Sequence, residues 1–184
     1  MLSIPRRALL SGAAATLALS ACSSGGRSGA AKVDARVDAA LAFIDTSHPG
    51  TRELREKAAG MLVMPLVTEA SFFYGGAYGR GALRVNDTTV DYYSATQASF
   101  GLQAGAQQYA HILFFMTEEA LADFRASQGW AAGADIEYAS KAIAGNIGAE
   151  TTTALAPIIG IVFGQAGLLA GASVTGTKYT RIIP

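Results

Sequence analysis

The sequence predicts an α+β fold in which helices precede a β-rich region, and a change of hydrophobic period supports this prediction. Near the start of the chain, apolar residues recur at helical spacing, at Val33, Val37, Leu41 and Ile44. From Phe72 to Val85 the period is two, as in a strand with one buried face. The chain has 184 residues, of which 51% are hydrophobic, so one domain with a large core is expected.

Charge and cysteine content exclude several classes of site. The chain carries 14 basic and 14 acidic side chains, so no general attraction to nucleic acid is expected. Its single cysteine, Cys22, excludes an intrachain disulfide framework and a cysteine-based zinc cluster. We expect no metal and no cofactor.

Residues 1–21 are predicted to be a signal peptide with a lipobox. Arg6 and Arg7 precede an apolar stretch, Ala8 to Leu19, that is too short to span a bilayer comfortably. The end of the segment, "LSAC", resembles a bacterial lipobox, in which Cys22 receives a diacylglyceryl group and becomes the new N-terminus. The alternative is an ordinary free cysteine near a cleavage site.

An acylated Cys22 predicts an exported lipoprotein at the periplasmic face of a membrane. Acyl chains such as palmitate can anchor a protein without any spanning segment. Ser23, rather than an aspartate, follows the cysteine, which favours the outer membrane. The paired arginines in "PRRALL" partly resemble a twin-arginine export signal, and general secretion stays open. Residues 22–32 are expected to form a flexible tether before a domain at residues 33–184.

The first two helices are predicted from periodicity and from helix-ending residues. Residues 33–45 form an amphipathic pattern whose polar face has mixed charge, which favours packing on a sheet over lying on lipid. Pro49 and Gly50 end this helix. Thr51 is expected to cap a second helix, which ends near Gly60.

One further helix and several strands are predicted downstream. Thr117 is expected to cap the helix, with Leu121 and Phe124 facing inward. Asn86-Asp87 suits a tight hairpin turn. The predicted strands are Met61 to Pro65, Phe72 to Val85, Thr88 to Tyr93, Ser99 to Gln107, Tyr109 to Met116, Trp130 to Tyr138 and Thr177 to Ile183.

The uncharged stretch "PIIGIVFGQAGLLAG", Pro157 to Gly171, is compatible with two structures. It lies within an uncharged run from Thr151 to Thr177 that is long enough for a membrane-spanning helix, and its GxxxG spacing is typical of such helices. Its proline, Gln165 and its glycines favour a hairpin instead, with Ile158 to Phe163 and Leu168 to Val174 as the strands. Composition leaves these two alternatives open.

Several blocks of the sequence resemble the SYLF domain family, in order and over residues 35–183. They are "KAAGMLVMPLVTEASFFYGGAYGRGAL", "YYSATQASFGLQAGAQ", "LFFMTEEALADFRASQGWAAGAD", "PIIGIVFGQAGLLAG" and "GTKYTRI". The resemblance implies N-terminal helices packed on an antiparallel, barrel-like β-sheet, with one further helix after a central strand. Under this interpretation, Pro157 to Gly171 is a strand pair.

The resemblance also implies a function. SYLF domains are known mainly as phospholipid-binding modules, some fungal members also bind actin, and bacterial members are often envelope lipoproteins. This chain departs from the family at Glu69, where a lysine is usual. A lysine there would suit an anionic headgroup, so the exchange predicts weaker or different headgroup binding.

The sequence contains no recognisable set of catalytic residues, so a non-enzymatic protein is expected. His48 and His111 belong to no metal-binding or catalytic spacing, and Cys22 is used by lipidation. The glycines of "GGAYGRG" lack the order of a phosphate-binding loop and do not open a helix.

The candidate headgroup-binding residues lie on two predicted strands. Tyr74, Tyr78, Arg80 and Arg84 share one strand face, where arginines could bind phosphate oxygens and tyrosines suit a membrane interface. The alternative is an ordinary solvated strand face. Lys178 and Arg181 match the family's terminal motif and should point to opposite faces of a strand, with one of them pairing with a buried carboxylate.

The sequence therefore predicts a non-enzymatic envelope lipoprotein whose domain binds lipid or phospholipid. The alternative is a structural or protein-interaction module of the envelope, with no lipid ligand beyond its own anchor. Removal of residues 1–21 takes away Arg6 and Arg7, so 14 − 2 = 12 basic side chains remain against 14 acidic ones. This slightly acidic balance favours the alternative.

Overall fold

The computed structural model describes residues 25–133, 136–138, 156–164, 167–168 and 174–184. Three helices lie in these ranges: α1 (Gly25–Ser47), α2 (Thr51–Lys57) and α3 (Glu118–Ala126). Seven strands lie there too: β1 (Gly60–Val85), β2 (Thr88–Phe115), β3 (Trp130–Ala131), β4 (Ile136–Tyr138), β5 (Ile158–Gly164), β6 (Gly167–Leu168) and β7 (Lys178–Ile182). The predicted α+β class is confirmed, with two helices first and one after the central strand.

The centre of the fold is one long antiparallel hairpin, β1 and β2. It is paired from Gly60↔Phe115 to Val85↔Thr88. Asn86 and Asp87 make the turn with φ of 49° and 59°, the left-handed backbone that a tight hairpin requires, so the predicted turn is confirmed.

The two hairpin strands are longer than the separate strands that the sequence predicts. Three irregularities interrupt the register without ending the pairing, between Met64 and Val67, between Ser71 and Phe73, and between Leu83 and Arg84. Extra residues of this kind bend a strand while the ladder continues. Where the alternation of apolar residues is interrupted, the sequence predicts the end of a strand, but the structure has a bend within a continuous strand.

The remaining strands pair around the other edge of β2. Its residues 92–96 pair with β7, and its residues 110–115 pair with β5. β3 adds to β7, whereas β4 and β6 add to β5. All of these pairs are antiparallel except β4 with β5, which is parallel.

The sheet curls into a half-barrel because the two halves of β1 cross closely. A Cβ atom built on Gly81 would overlap the backbone carbonyl oxygen of Val63 and the sulfur of Met64. Only a residue without a side chain permits this approach of two backbones. The curl gives the sheet an inner and an outer face.

Each face of the sheet carries one apolar core. On the inner face, Phe124 of α3 lies with its ring centroid 4.8 Å from those of Tyr93 and Phe115. On the outer face, α1 packs on alternate residues of β2, among them Ile112 and Phe114. The predicted helical stripe is confirmed, because Val33, Val37, Leu41 and Ile44 are all buried there.

Polar contacts fix α1 against the hairpin beside this apolar core. Asp34 accepts hydrogen bonds from the hydroxyls of Tyr92, at 2.7 Å, and Thr89, at 2.8 Å. Asp38 accepts from Arg84 at 2.7 Å. The acidic side chains on the polar face of this helix therefore attach it to the sheet. This confirms the prediction that the helix packs on the sheet.

The start of α1 differs from the sequence prediction. Residues 25–32 are helical, whereas a flexible tether is predicted over residues 22–32, of which residues 22–24 lie outside the described ranges. A Cβ atom on Gly29 would lie 2.6 Å from the carbonyl carbon of Pro184, so the helix backbone rests against the C-terminal residue. This tertiary contact favours helix in a composition that is typical of linkers.

One predicted helix cap is wrong and another is confirmed. Thr51 is the first residue of α2 rather than its cap, and its buried hydroxyl donates to the carbonyl oxygen of His48 at 2.8 Å. α2 ends at Lys57, and Gly60 begins β1. Thr117 does cap α3, by accepting from the backbone N–H of Ala120 at 3.2 Å.

The uncharged stretch forms strands in its described part. β5 and β6 pair antiparallel through Phe163↔Leu168, as the hairpin alternative predicts. Residues 169–173 lie outside the described ranges. In the part of the chain that the structure describes, no helix has the length and apolar character needed to cross a membrane.

Two predicted C-terminal segments have different outcomes. The final strand is confirmed as β7. Trp130 to Tyr138 forms two short strands, β3 and β4, rather than one, because β3 pairs with β7 whereas β4 pairs with β5.

Replacing Gly81 with alanine should lower the free energy of unfolding by about 3 kcal/mol, because the added Cβ overlaps the backbone at Val63. Gly76 of the same strand is a matched control, since its added Cβ would lie 3.4 Å from the carbonyl oxygen of Gln97. Gly76→Ala should change stability by no more than about 0.5 kcal/mol. Urea unfolding measures both, and equal effects would contradict the close crossing.

Candidate functional site

A cleft of about 620 Å³ lies between the C-terminal end of α3 and the edge of β7. Among the described residues that line it, none is acidic and three are basic. We call it the β7 cleft, lined by Arg125, Ala126, Ser127, Gln128, Gly129, Lys178, Thr180 and Arg181.

The cleft exists because β3 covers only the beginning of β7. Trp130 pairs with Tyr179 and Ala131 with Lys178, and β3 has no further residues. Beyond Tyr179, the edge of β7 is left uncovered by β3. Gly129, with φ of +86°, turns the chain from α3 into β3 and so sets the width of the opening.

Lys178 is held at the cleft by packing. A Cβ atom on Gly129 would lie 2.5 Å from the Cε atom of Lys178, so the lysine stem lies directly over this glycine. Within the described residues, no carboxylate lies within 4.0 Å of the Lys178 ammonium group. Its charge is therefore available to a ligand.

Arg125 and Arg181 share one carboxylate behind the cleft. The side chain of Asp91 is only 15% exposed and lies 3.4 Å from each guanidinium group. Arg181 also donates to the carbonyl oxygen of Arg125 at 3.4 Å, which places a cation at the negative end of α3. Three cations and one carboxylate give 3 − 1 = +2 as the formal charge at the cleft.

The outer face of the sheet adds a second cationic surface next to the cleft. Across β1, β2 and β7, Tyr78, Thr96 and Lys178 are in one register row, and Arg80, Ser94 and Thr180 are in the next. Paired residues point to the same face of the sheet. Because β2 lies between β1 and β7, paired positions on these two strands are about 10 Å apart, which is two strand spacings. We call the exposed residues Tyr78, Arg80 and Lys178 the sheet patch. It meets the β7 cleft at Lys178.

Comparison with known proteins identifies a family for part of the chain. Residues 96–181 match the model of the Ysc84 (SYLF) family, described as Las17-binding protein actin regulator. Residues 96–181 belong to a SYLF domain. No curated protein matches the chain. The matched segment runs from the first third of β2 to Arg181 and includes Arg125, Lys178 and Arg181 of the β7 cleft.

The N-terminal part of the sequence resemblance lies outside that matched segment. β1, with its glycine-rich stretch and Glu69, precedes residue 96. Glu69 accepts a cross-strand hydrogen bond from Gln107 at 2.7 Å. At this position, where SYLF domains usually carry lysine, the chain therefore makes a contact within the hairpin.

The structure brings together some of the predicted headgroup-binding residues and separates others. Tyr78, which is 53% exposed, and Arg80 lie near Lys178 in the sheet patch. Arg84 lies elsewhere, because its side chain is only 12% exposed and pairs with Asp38 of α1 at 2.7 Å. The side chain of Tyr74 lies outside the described residues, although its backbone belongs to β1.

The two predicted residues of β7 meet in the cleft although three positions separate them. Lys178 reaches it over Gly129, and Arg181 reaches it beside Asp91, so the expected pairing with a poorly exposed carboxylate belongs to Arg181. Sequence reasoning missed Arg125, which is separated from Arg181 by 56 positions. A basic residue in the last helical turn is too common to indicate a site.

His111 is buried beneath β7 in the SYLF domain. Its Nε2 atom and the hydroxyl of Tyr179 share a hydrogen bond of 2.8 Å. Burial lowers the pKa of His111 to about 3. In the described part of the chain, no three histidine, cysteine or acidic side chains are grouped closely enough to hold a metal ion.

The buried histidine should make the protein sensitive to mild acid. Unfolded His111 takes up a proton near its ordinary pKa of 6.5, whereas the folded side chain stays neutral until about pH 3. The free energy of unfolding should therefore fall by about 2 kcal/mol between about pH 7 and about pH 5. His111→Gln should show a flatter dependence over this range in urea titrations. Parallel curves for both proteins would contradict a neutral, buried imidazole.

Proposed function

We propose that this protein is an envelope lipoprotein whose SYLF domain binds anionic phospholipid headgroups at the β7 cleft and the adjoining sheet patch. The observation that carries the proposal is the placement of four cations on one surface, with Arg125, Lys178 and Arg181 lining the β7 cleft and Arg80 in the adjoining sheet patch. The cleft volume of about 620 Å³ is in the range of small-ligand sites.

The residue types at this surface suit a phosphate-bearing headgroup. Guanidinium groups bind phosphate oxygens in a fork, and an ammonium group adds a mobile point charge. Gln128 and Thr180 line the same cleft and supply neutral hydrogen-bond donors, whereas the Ser127 hydroxyl donates to the carbonyl oxygen of Asp123 at 3.0 Å. The exposed ring of Tyr78 suits the interface between headgroups and acyl chains.

The proposed anchor is an acyl group on Cys22, at the periplasmic face of the outer membrane. α1 begins at Gly25, three positions after this cysteine. A linker this short would keep the start of α1 within about 10 Å of the lipid surface. Acylation would therefore raise the effective concentration of headgroups at the β7 cleft.

Loss of two cations that form no ion pair within the described residues should weaken binding to anionic vesicles. Arg80→Gln combined with Lys178→Gln should reduce the affinity for vesicles of equal parts phosphatidylglycerol and phosphatidylcholine about thirtyfold, because each basic residue near such a surface contributes about 1 kcal/mol. Flotation of the full chain, with Cys22→Ser in every variant to prevent acylation, measures this.

The matched control removes the same charge elsewhere. Lys32→Gln combined with Arg52→Gln, on α1 and α2, should leave vesicle affinity nearly unchanged. Equal losses in both pairs would indicate general charge attraction and contradict the site. Absence of binding by the parent protein would favour the alternative, a structural or protein-interaction module of the envelope.

The anchor has a separate test. Cells that express the protein should incorporate labelled palmitate into it, and Cys22→Ser should abolish the label and release the protein from the membrane fraction. The conservative Ser23→Ala exchange serves as control and should keep both. Label that persists in Cys22→Ser would overturn the lipobox interpretation.

A further inference from the structure

An apolar crevice lies between α1 and the sheet, away from the β7 cleft. Its volume is about 400 Å³. α1 contributes Arg36, Ala39, Ala40 and Phe43, a set spaced three and four residues apart along one side of the helix. The sheet contributes Pro65, Leu66, Gln108, Tyr109, Ala110, Phe163 and Gly164.

The crevice is open because the sheet and the helix both lack bulk at this place. Pro65 and Leu66 lie at the irregularity in β1 and have no partners in β2, and proline has no N–H to donate. On α1, the small side chains of Ala39 and Ala40 line the same crevice and fill little of the space between the helix and the sheet. Phe43 closes one end by stacking on Phe163, with ring centroids 6.0 Å apart.

Among the described residues that line the crevice, one is charged, the cation Arg36. Arg36 is exposed, and within the described residues it forms no ion pair. By contrast, Asp34 and Asp38 of the same helix are both engaged by the hairpin. An apolar crevice that is lined by one exposed guanidinium group is complementary to a molecule with one apolar chain and one anionic end.

We propose that this crevice binds a long-chain fatty acid, with the hydrocarbon chain among Ala39, Phe43 and Leu66 and the carboxylate paired with Arg36. A hydrocarbon chain needs no hydrogen bonds, which suits walls of this composition. A bound peptide would bury amide groups that need hydrogen-bond partners. Among the described lining residues, the side chains of Arg36, Gln108 and Tyr109 are able to form such hydrogen bonds. The fatty acid therefore fits the crevice better.

This proposal is independent of headgroup binding at the β7 cleft. It rests on a different surface, on α1 and the irregularity in β1, and it concerns a monomeric ligand rather than a bilayer. Failure of vesicle binding leaves it standing, and its own failure leaves the β7 cleft untouched.

The test is a fluorescence titration with cis-parinaric acid, whose emission rises in an apolar site. The full chain carrying Cys22→Ser should bind the probe saturably, and unlabelled oleic acid should displace it. Ala39→Phe should weaken binding at least about tenfold by filling the crevice from an exposed helix position. Ala42→Phe, on the same helix but outside the crevice, should bind like the parent.

A second pair of variants tests the role of the charge. At mildly alkaline pH, Arg36→Gln should weaken binding of parinaric acid about tenfold and should not affect binding of the corresponding alcohol, which has no carboxylate. Lys32→Gln should affect neither ligand. Lys178→Gln should also leave the affinity unchanged, which separates this site from the β7 cleft.

The outcomes that overturn the proposal are specific. Absence of saturable binding would overturn it. Equal affinities in the Ala39→Phe and Ala42→Phe variants would also overturn it, because the probe would then bind elsewhere, for example on the apolar stretch at residues 8–19. Thermal unfolding by circular dichroism shows whether each variant is folded. Because Ala39 is exposed, its exchange should leave the melting temperature unchanged.

Discussion

The close approach of β1 to itself at Gly81 and Val63 is the constraint on which the other features depend. A straight strand of 26 residues would extend on the order of 85 Å, and neither of its faces could close on a core. The crossing folds this length back, so that the inner face surrounds Phe124 of α3 and the outer face remains available to α1. β5 and β7 can then pair with different parts of β2 and complete one sheet.

The charged residues divide into two groups according to this architecture. Those near α1 hold the fold together: Asp38 pairs with Arg84 at 2.7 Å, and Asp45 of α1 pairs with Arg55 of α2 at 3.1 Å. Such ion pairs contribute modestly to stability, yet they fix the helix against the hairpin. Arg80 and Lys178 have no such partner in the described residues. These two charges can therefore pair with an anionic ligand, as the proposed headgroup binding requires.

Both proposed sites lie where the ladder of the sheet is incomplete. The β7 cleft opens where β3 stops after two residues, and the apolar crevice opens where Pro65 and Leu66 leave β1 unpaired. An interrupted ladder leaves space that regular pairing would fill. The side chains around each gap give it a different chemistry, cationic at α3 and β7, apolar with one cation at α1.

Residue type and spacing are enough to predict the local features: the stripe from Val33 to Ile44, the turn at Asn86-Asp87, the cap at Thr117 and the SYLF resemblance. Each depends on residues within a few positions, or on a family pattern. Three other outcomes become visible in the folded molecule alone: residues 25–32 are helical, Arg84 belongs to the attachment of α1, and Arg125 joins Arg181 across 56 positions. These outcomes depend on contacts between distant segments, such as Gly29 with Pro184, and hydrophobic periodicity contains no information about which segments meet.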